Sequence, residues 1–388
     1  AGIKYKNGKK DMAMVVSDKP CVTAGTFTLN RVFAAPVKWD KNIVYNEAFA
    51  QAIVVNSGVA NACTGVEGDE ACALEAKTAG EALGIPADAV LLGSTGVIGM
   101  QLPMDRMCAG IKALPELLDY TKEAGTLAAE AIMTTDTVKK QWAVETVLDG
   151  KKVTIGGIAK GSGMIHINMG TTLSFVTTDA AISSEMLKSA LIEAADVSYN
   201  MVSVDGDTST NDTLAIMASG YAGNKEITEK NDDYKTFTAV LTDAFKKVAK
   251  KLAKDGEGAT KLLICKVDGA KDDKSAKIIS KSIICSSLVK AAMFGADANC
   301  GRILCAIGYS GAETDVKKID VSYKSAKGEI LVCKDGNGLV FDEDKAKEIL
   351  LEDEIEILVK LGDGNASAEA YGCDLTYDYV KINGDYRT

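Results

Sequence analysis

Short apolar runs rich in Val and Ile alternate along this chain with longer stretches whose apolar residues recur every three to four positions. The first pattern marks strands and the second amphipathic helices. Met12 to Ser17, Ala52 to Asn56 and Val90 to Gly93 read as strands, the last running into Ser94-Thr95-Gly96. Glu70 to Leu83 reads as a helix ended by Gly84, because glycine takes the left-handed conformation that closes a helix. Residues 104–114 and 121–133 have helical patterns. Trp142 to Leu148 and Lys152 to Ile158 flank Asp149-Gly150, a tight hairpin turn. Thr172 to Thr177 and Leu262 to Val267 read as strands; Ser183 to Ala195, Tyr234 to Ala253 and Ala276 to Met293 read as helices. Residues 302–309, 317–323 and 328–334 read as strands, followed by a helix over 343–350 and strands over 354–361 and 367–373. Helices and strands interleave without a regular βαβ rhythm. That predicts an α/β layered sandwich of mixed sheets and helices rather than a doubly wound sheet.

Composition changes this picture little. The chain has 388 residues, 47% hydrophobic and 25% charged, enough for two or more packed layers. There is no internal repeat and no low-complexity linker; Gly223 to Asp233 is the most polar loop. The net charge of −10 argues against nucleic-acid partners, which need clustered Lys and Arg. No run of about 18 apolar residues exists, so no membrane span is expected. The opening Ala1-Gly-Ile-Lys-Tyr-Lys6 has no apolar core of a secretory signal, and a cytoplasmic location is expected. Ten cysteines without C-x-x-C spacing read as small buried hydrophobes of a reducing compartment.

The candidate chemistry is narrowed by what is missing. His166 is the single histidine, which makes a zinc site or a Ser-His-Asp triad hard to build. No phosphate-binding loop motif occurs. Asp205-Gly-Asp-Thr-Ser-Thr-Asn-Asp212 has the acidic spacing of a calcium loop, but its sixth position is Thr210 and its twelfth Ile216. It reads either as an Asx-rich turn or as a substrate loop. Threonine is the remaining nucleophile, and it needs a base. In Lys160-Gly-Ser-Gly-Met-Ile-His-Ile-Asn-Met-Gly-Thr-Thr-Leu-Ser-Phe175, Gly170 stands before Thr171. Gly170-Thr171 is either a plain turn entering a strand or a cleavage site. Cleavage there would free a threonine α-amine, whose pKa of about 7.7–8.0 suits a base at neutral pH. Glycine at 170 permits the backbone geometry an N-to-O acyl shift requires.

Ordered blocks carry a resemblance over nearly the whole chain. Asp18-Lys-Pro-Cys-Val-Thr-Ala-Gly25, Asn30-Arg31-Val32 and Ala35-Pro36-Val37 come first, then Val55-Asn-Ser-Gly-Val-Ala-Asn-Ala62 and Ser94-Thr-Gly-Val-Ile-Gly99. Ile132-Met-Thr-Thr-Asp-Thr137, Lys160-Gly-Ser-Gly-Met164, Asp255-Gly-Glu-Gly-Ala-Thr260, Gly301-Arg-Ile-Leu304 and Asp374-Leu-Thr-Tyr-Asp-Tyr-Val380 follow, with Asn383 after them. Together they resemble the ornithine acetyltransferase family. The resemblance implies a fold of self-cleaving N-terminal-nucleophile type with a smaller C-terminal α/β region. It implies cleavage between Gly170 and Thr171 into pieces 1–170 and 171–388, an alpha and a beta chain. Thr171 matches the nucleophile, and Thr95 and Gly96 match the oxyanion hole. Thr134, Lys160, Thr171, Glu257, Asn383 and Thr388 match substrate-binding positions; Lys160 suits a carboxylate and Glu257 an ammonium. Thr388 requires a C-terminus folded back to the site. The chain departs from many relatives at Gly170 and Ile167, where they carry alanine and proline. His166 has no catalytic part in the implied mechanism.

The implied activity is glutamate N-acetyltransfer: the acetyl group of N2-acetyl-L-ornithine passes to L-glutamate through an acetyl-Thr171 ester, in arginine biosynthesis. No metal and no resident cofactor are implied; acetyl-coenzyme A is a second donor in some members. The implied assembly is a heterotetramer of two alpha and two beta chains. Two rival readings differ in class. One is an N-terminal-nucleophile aminopeptidase or amidohydrolase, and the other a non-enzymatic acidic protein binding a cation at Asp205–Asp212.

Overall fold

The computed structural model describes residues 1–4, 8–166 and 172–385. Ile167, Gly170, Thr171 and Thr388 therefore lie outside the described residues. The chain forms two compact units. The first holds Ala1–Gly161, Ile167–Asn200 and Thr208–Val248; the second holds Ser162–His166, Met201–Asp207 and Ala249–Thr388. These units do not follow the expected pieces 1–170 and 171–388, since each draws on both.

The first unit is built on a seven-stranded mixed sheet. Its order is Val90–Val97, Phe49–Val59, Met12–Phe27, Thr213–Ala218, Leu173–Thr178, Lys151–Lys160, Lys140–Leu148. Alternate strand residues serve opposite faces. Ile53, Val55 and Leu91 pack with Val37, Ile43 and Val44 of helix Ala35–Asn46 and Ala129 of helix Lys122–Ala131. Ala52, Val54, Val90 and Leu92 pack with Ala71, Cys72, Ala76 and Ala79 of helix Gly65–Leu83 and Met107 and Ile111 of helix Met104–Ala113. Two covered faces explain the unbroken apolar run in the Phe49–Val59 strand. The hairpin forms as expected: Asp149 and Gly150 have φ of 47° and 70°, the two positive values of a tight two-residue turn.

The second unit has a six-stranded sheet, ordered Asn337–Gly338, Gly328–Lys334, Asp320–Ser325, Glu354–Lys360, Leu262–Ala270, Ala366–Cys373. Helix Asp273–Cys285 covers its Leu262–Ala270 and Ala366–Cys373 strands. The α/β fold of mixed sheets and helices, with a smaller C-terminal α/β region, is thus the one the sequence predicts.

Two expectations fail here. Residues 302–309 are not a strand: all but Tyr309, the residue that caps its end, lie in helix Cys300–Gly308. Asn299 caps it by accepting the Arg302 N–H, and Ile303, Ala306 and Ile307 are buried at helical spacing. The expected helix Ala276 to Met293 is two helices, Asp273–Cys285 and Ser287–Phe294. Ser286 between them is extended (φ −67°, ψ 113°), and its hydroxyl accepts the Val289 N–H to start the second. Helices Ala35–Asn46 and Tyr377–Gly384 and strands Ser203–Thr208 and Thr213–Ala218 were not anticipated.

Candidate active site

The family-like blocks come together in pairs. In the first unit, parallel pairing of Phe49–Val59 with Val90–Val97 sets Asn56 against Ser94, Ser57 against Thr95 and Gly58 against Gly96. Gly58 and Gly96 have φ of 123° and 131°, a region glycine alone adopts readily. A Cβ on Gly96 would sit 2.2 Å from the Gly58 carbonyl carbon, so the two backbones come this close because Gly96 carries no side chain.

Lys160 ends the Lys151–Lys160 strand, and its ammonium donates to Thr95 Oγ1 over 3.3 Å. With its oxygen engaged as an acceptor, the Thr95 hydroxyl is left to donate its proton elsewhere, as an oxyanion donor must. Behind this pair sits Asp136. Its Oδ1 accepts from Lys140 Nζ at 2.8 Å and from the Gly161 N–H at 2.7 Å, and its Oδ2 accepts from the Thr134 N–H at 3.0 Å. One carboxylate thereby ties Thr134 to the residue after Lys160. Burial alone would raise the Asp136 carboxyl. The charges of Lys160 and Lys140 and the Gly161 hydrogen bond prevail and hold it at about 2. Asp212, also buried, goes the other way: desolvation pushes it up to about 8 against the pull of Lys160 and a Ser209 hydrogen bond.

In the second unit Glu257 and Asn383 meet: Asn383 Nδ2 donates to Glu257 Oε2 at 2.8 Å and to the Tyr379 carbonyl at 3.0 Å. The Glu257 N–H donates to the Ser162 carbonyl at 2.9 Å, and a Cβ at Gly163 would lie 2.3 Å from the Glu257 carboxylate carbon. The Asp255–Thr260 and Asp374–Val380 blocks join through Asp374, which accepts from the Thr260 and Lys261 N–H groups at 2.8 and 2.9 Å.

The described structure thus brings Thr95 to Lys160 and Glu257 to Asn383, and links Thr134 to the Lys160 end through Asp136. An apolar cavity of about 950 Å³ in the first unit, lined by Met12, Val16, Leu114, Leu118, Tyr120 and Leu127 among others, includes none of the predicted residues. Sequence reasoning missed Asp136 and Lys140, although Asp136 stood inside a quoted block. A lysine beside another lysine reads as a solvated face, yet Lys140 is wholly buried.

Asp205 behaves as an Asx turn: its Oδ1 accepts the Asp207 N–H at 3.2 Å and the Ile165 N–H at 2.9 Å, and its Oδ2 the Met164 N–H at 2.7 Å. His166 Nδ1 lies 3.2 Å from Ser203 Oγ and 3.5 Å from Cys285 Sγ. Burial and the Lys281 charge push this imidazole down to about 4, so it is neutral at physiological pH. All ten cysteines are free; five are buried, while Cys63 and Cys305 are exposed, against the expectation of uniform burial. Among the described residues no group of three His, Cys, Asp or Glu could hold a metal, and no helix is long and apolar enough to cross a membrane.

Similarity to known proteins defines the class. The chain is 51% identical to arginine biosynthesis bifunctional protein ArgJ 1 of Clostridium acetobutylicum, over 100% of this chain and 94% of that protein. It is 45% identical to arginine biosynthesis bifunctional protein ArgJ of Bacillus subtilis, over 100% of this chain and 93% of that one. A crystal structure of the ArgJ protein of Bacillus halodurans, 45% identical, superposes with a TM-score of 0.52, covering 54% of this chain and 97% of the solved one. The protein is an acyltransferase of arginine biosynthesis. The ArgJ family model matches residues 1–388, and the chain belongs to the ArgJ family of bifunctional enzymes.

Proposed function

We propose that the protein moves an acetyl group from N2-acetyl-L-ornithine to L-glutamate in two steps, with Thr171 as nucleophile. Self-cleavage of the Gly170–Thr171 bond exposes the Thr171 α-amine. That amine takes the proton of its own hydroxyl as the oxygen attacks the acetyl carbonyl. The amide C–N bond then breaks, the proton passes to the leaving amine, and ornithine departs. The acetyl-Thr171 ester is next attacked by the glutamate amine; the ester C–O bond breaks, its oxygen is reprotonated, and N-acetylglutamate leaves. Thr95 and Gly96 stabilise the oxyanion in both steps. Lys160 holds the substrate carboxylate; Glu257 and Asn383, with Thr134 and Thr388, serve the remaining polar groups. No resident cofactor takes part, and acetyl-coenzyme A serves as a second acetyl donor, in keeping with the word bifunctional in the relatives' names. The working form is a cytoplasmic heterotetramer of two alpha and two beta chains.

The observation that carries this reading is the Lys160–Thr95 contact beside the Gly58–Gly96 backbone approach. It is the end of a strand with a cation against its threonine hydroxyl, and Lys160 itself ends the strand that pairs with Leu173–Thr178.

The test is the denatured mass of purified protein together with ornithine release. Wild type is expected to give fragments 1–170 and 171–388 and to release ornithine only when glutamate is added. Thr171→Ala is expected to stay whole and inactive. An uncut wild type that still transfers acetyl would overturn the mechanism, and release without glutamate would mark a hydrolase.

A further inference from the structure

Asn211 belongs to the acidic loop that the sequence left between an Asx turn and a ligand site, and the catalytic reading above does not use it. It is buried, and its side-chain amide spans two elements: Nδ2 donates to the Ala60 carbonyl at 2.6 Å and to the Ser94 carbonyl at 2.8 Å. Thr210 Oγ1 donates to Asn211 Oδ1 at 2.6 Å, which fixes which end of the amide faces those carbonyls. The backbone on either side is pinned. The Thr210 carbonyl accepts the Ala34 N–H and the Asp212 carbonyl accepts the Thr28 N–H, each at 2.9 Å. Directly after it, Thr213 enters the sheet between Met12–Phe27 and Leu173–Thr178.

The Ser94 carbonyl and the Thr95 N–H belong to one rigid peptide plane. An amide that grips this carbonyl therefore fixes the rotation of the peptide from which Thr95 and then Gly96 are presented. Its second bond, to Ala60, holds the chain just beyond the Phe49–Val59 strand, whose Gly58 lies against Gly96.

We infer that Asn211 is a positioning residue for acetyl transfer, clamping the Ser94–Thr95 peptide so that the oxyanion donors at Thr95 and Gly96 keep their aim. This rests on the proposed role of those two residues. Asn211 acts through the Ser94 carbonyl at the end of the Val90–Val97 strand. Removing Asn211 loosens a strand end that matters in the transition state more than in substrate binding, so kcat falls and KM stays near its wild-type value.

The test compares Asn211→Ala, Asn211→Asp and Thr210→Val with wild type, using acetylornithine and glutamate. Folding is followed by thermal melting, and kcat is expressed per cut molecule counted by mass. Asn211→Ala is expected to lose roughly tenfold to a hundredfold in kcat, in line with the sensitivity of rates to small misplacements. Asn211→Asp, of equal size, sets an acceptor against two carbonyl oxygens and is expected to lose more. Thr210→Val frees the amide to rotate and is expected to lose less. A merely structural Asn211 would lower the melting temperature and leave kcat of the folded, cut fraction untouched. Asn211→Ala with wild-type kcat, or Thr210→Val with wild-type kcat should Asn211→Ala not fold, overturns the inference. A wild type that transfers no acetyl group would instead overturn the parent reading.

Discussion

Glu75 lies inside the first unit, and its Oε1 meets no hydrogen-bond partner among the described residues. Desolvation pushes its carboxyl from the ordinary 4.5 up to about 8. Asp40, equally buried, is also raised, by desolvation and by the nearby Glu75. A raised acid keeps its proton in the folded state where the unfolded chain has already lost it. The Glu75 contribution to stability is therefore full below 4.5, declines as pH rises to about 8 and is level above that. Glu75→Gln should flatten this decline: between about pH 5 and about pH 8, urea unfolding should lose less stability in the variant than in wild type. Equal slopes would show that Glu75 is charged in the folded protein. The residue scale is also where the sequence was least legible. Thr95, Lys160, Glu257 and Asn383 stood out through short blocks; Asp136 and Asn211 lay in quoted stretches without a role of their own, and Lys140 drew no notice. Their roles come from buried partners distant in sequence or set by the fold, Asp136 with Lys140 and Gly161 and Asn211 with Ala60 and Ser94, and such pairings leave no periodic trace.

At the scale of elements, capping chemistry separates what could be read from what could not. Helices Lys122–Ala131 and Ser184–Asp196 start at Thr121 and Ser183, whose hydroxyls accept the Ala124 and Met186 N–H groups. Those starts were legible, as was the Gly84 stop, whose φ of 71° is the left-handed value expected of a C-terminal cap. The break at Ser286 was hidden, because apolar residues stand densely on both sides of it and no glycine or proline marks it. The same serine makes it testable. Ser286→Ala removes the acceptor for the Val289 N–H and should cost about 1 kcal/mol in urea unfolding, the usual loss for a serine cap. No change would mean that Ser287–Phe294 is held by packing alone. The Cys300–Gly308 helix was misread because five apolar residues in a row, Ile303 to Ile307, fit a buried strand as well as a helix.

At the scale of the whole molecule, the order of strands in the first sheet meets the proposed cut. Thr213–Ala218 and Leu173–Thr178 come after Thr171, yet they lie between Met12–Phe27 and Lys151–Lys160, which come before it. They bond antiparallel to those neighbours on either side and parallel to each other. Cutting one peptide bond removes none of this. The two pieces should elute together from a gel-filtration column in buffer and part only in denaturant. A first piece that elutes alone would show that the ladder does not hold them. The α/β class and the mixed sheets were legible in the sequence. This interleaving was not, because it depends on pairings between strands far apart in the chain.

Such a braid has a genetic consequence. Under the proposed cut, each alpha piece should stay with the beta piece translated from the same message, since exchange would require tearing the middle out of a sheet. A cell carrying two damaged copies of the gene, one faulty before the cut and one after it, would not assemble a sound enzyme by swapping halves. The two lesions should fail to complement.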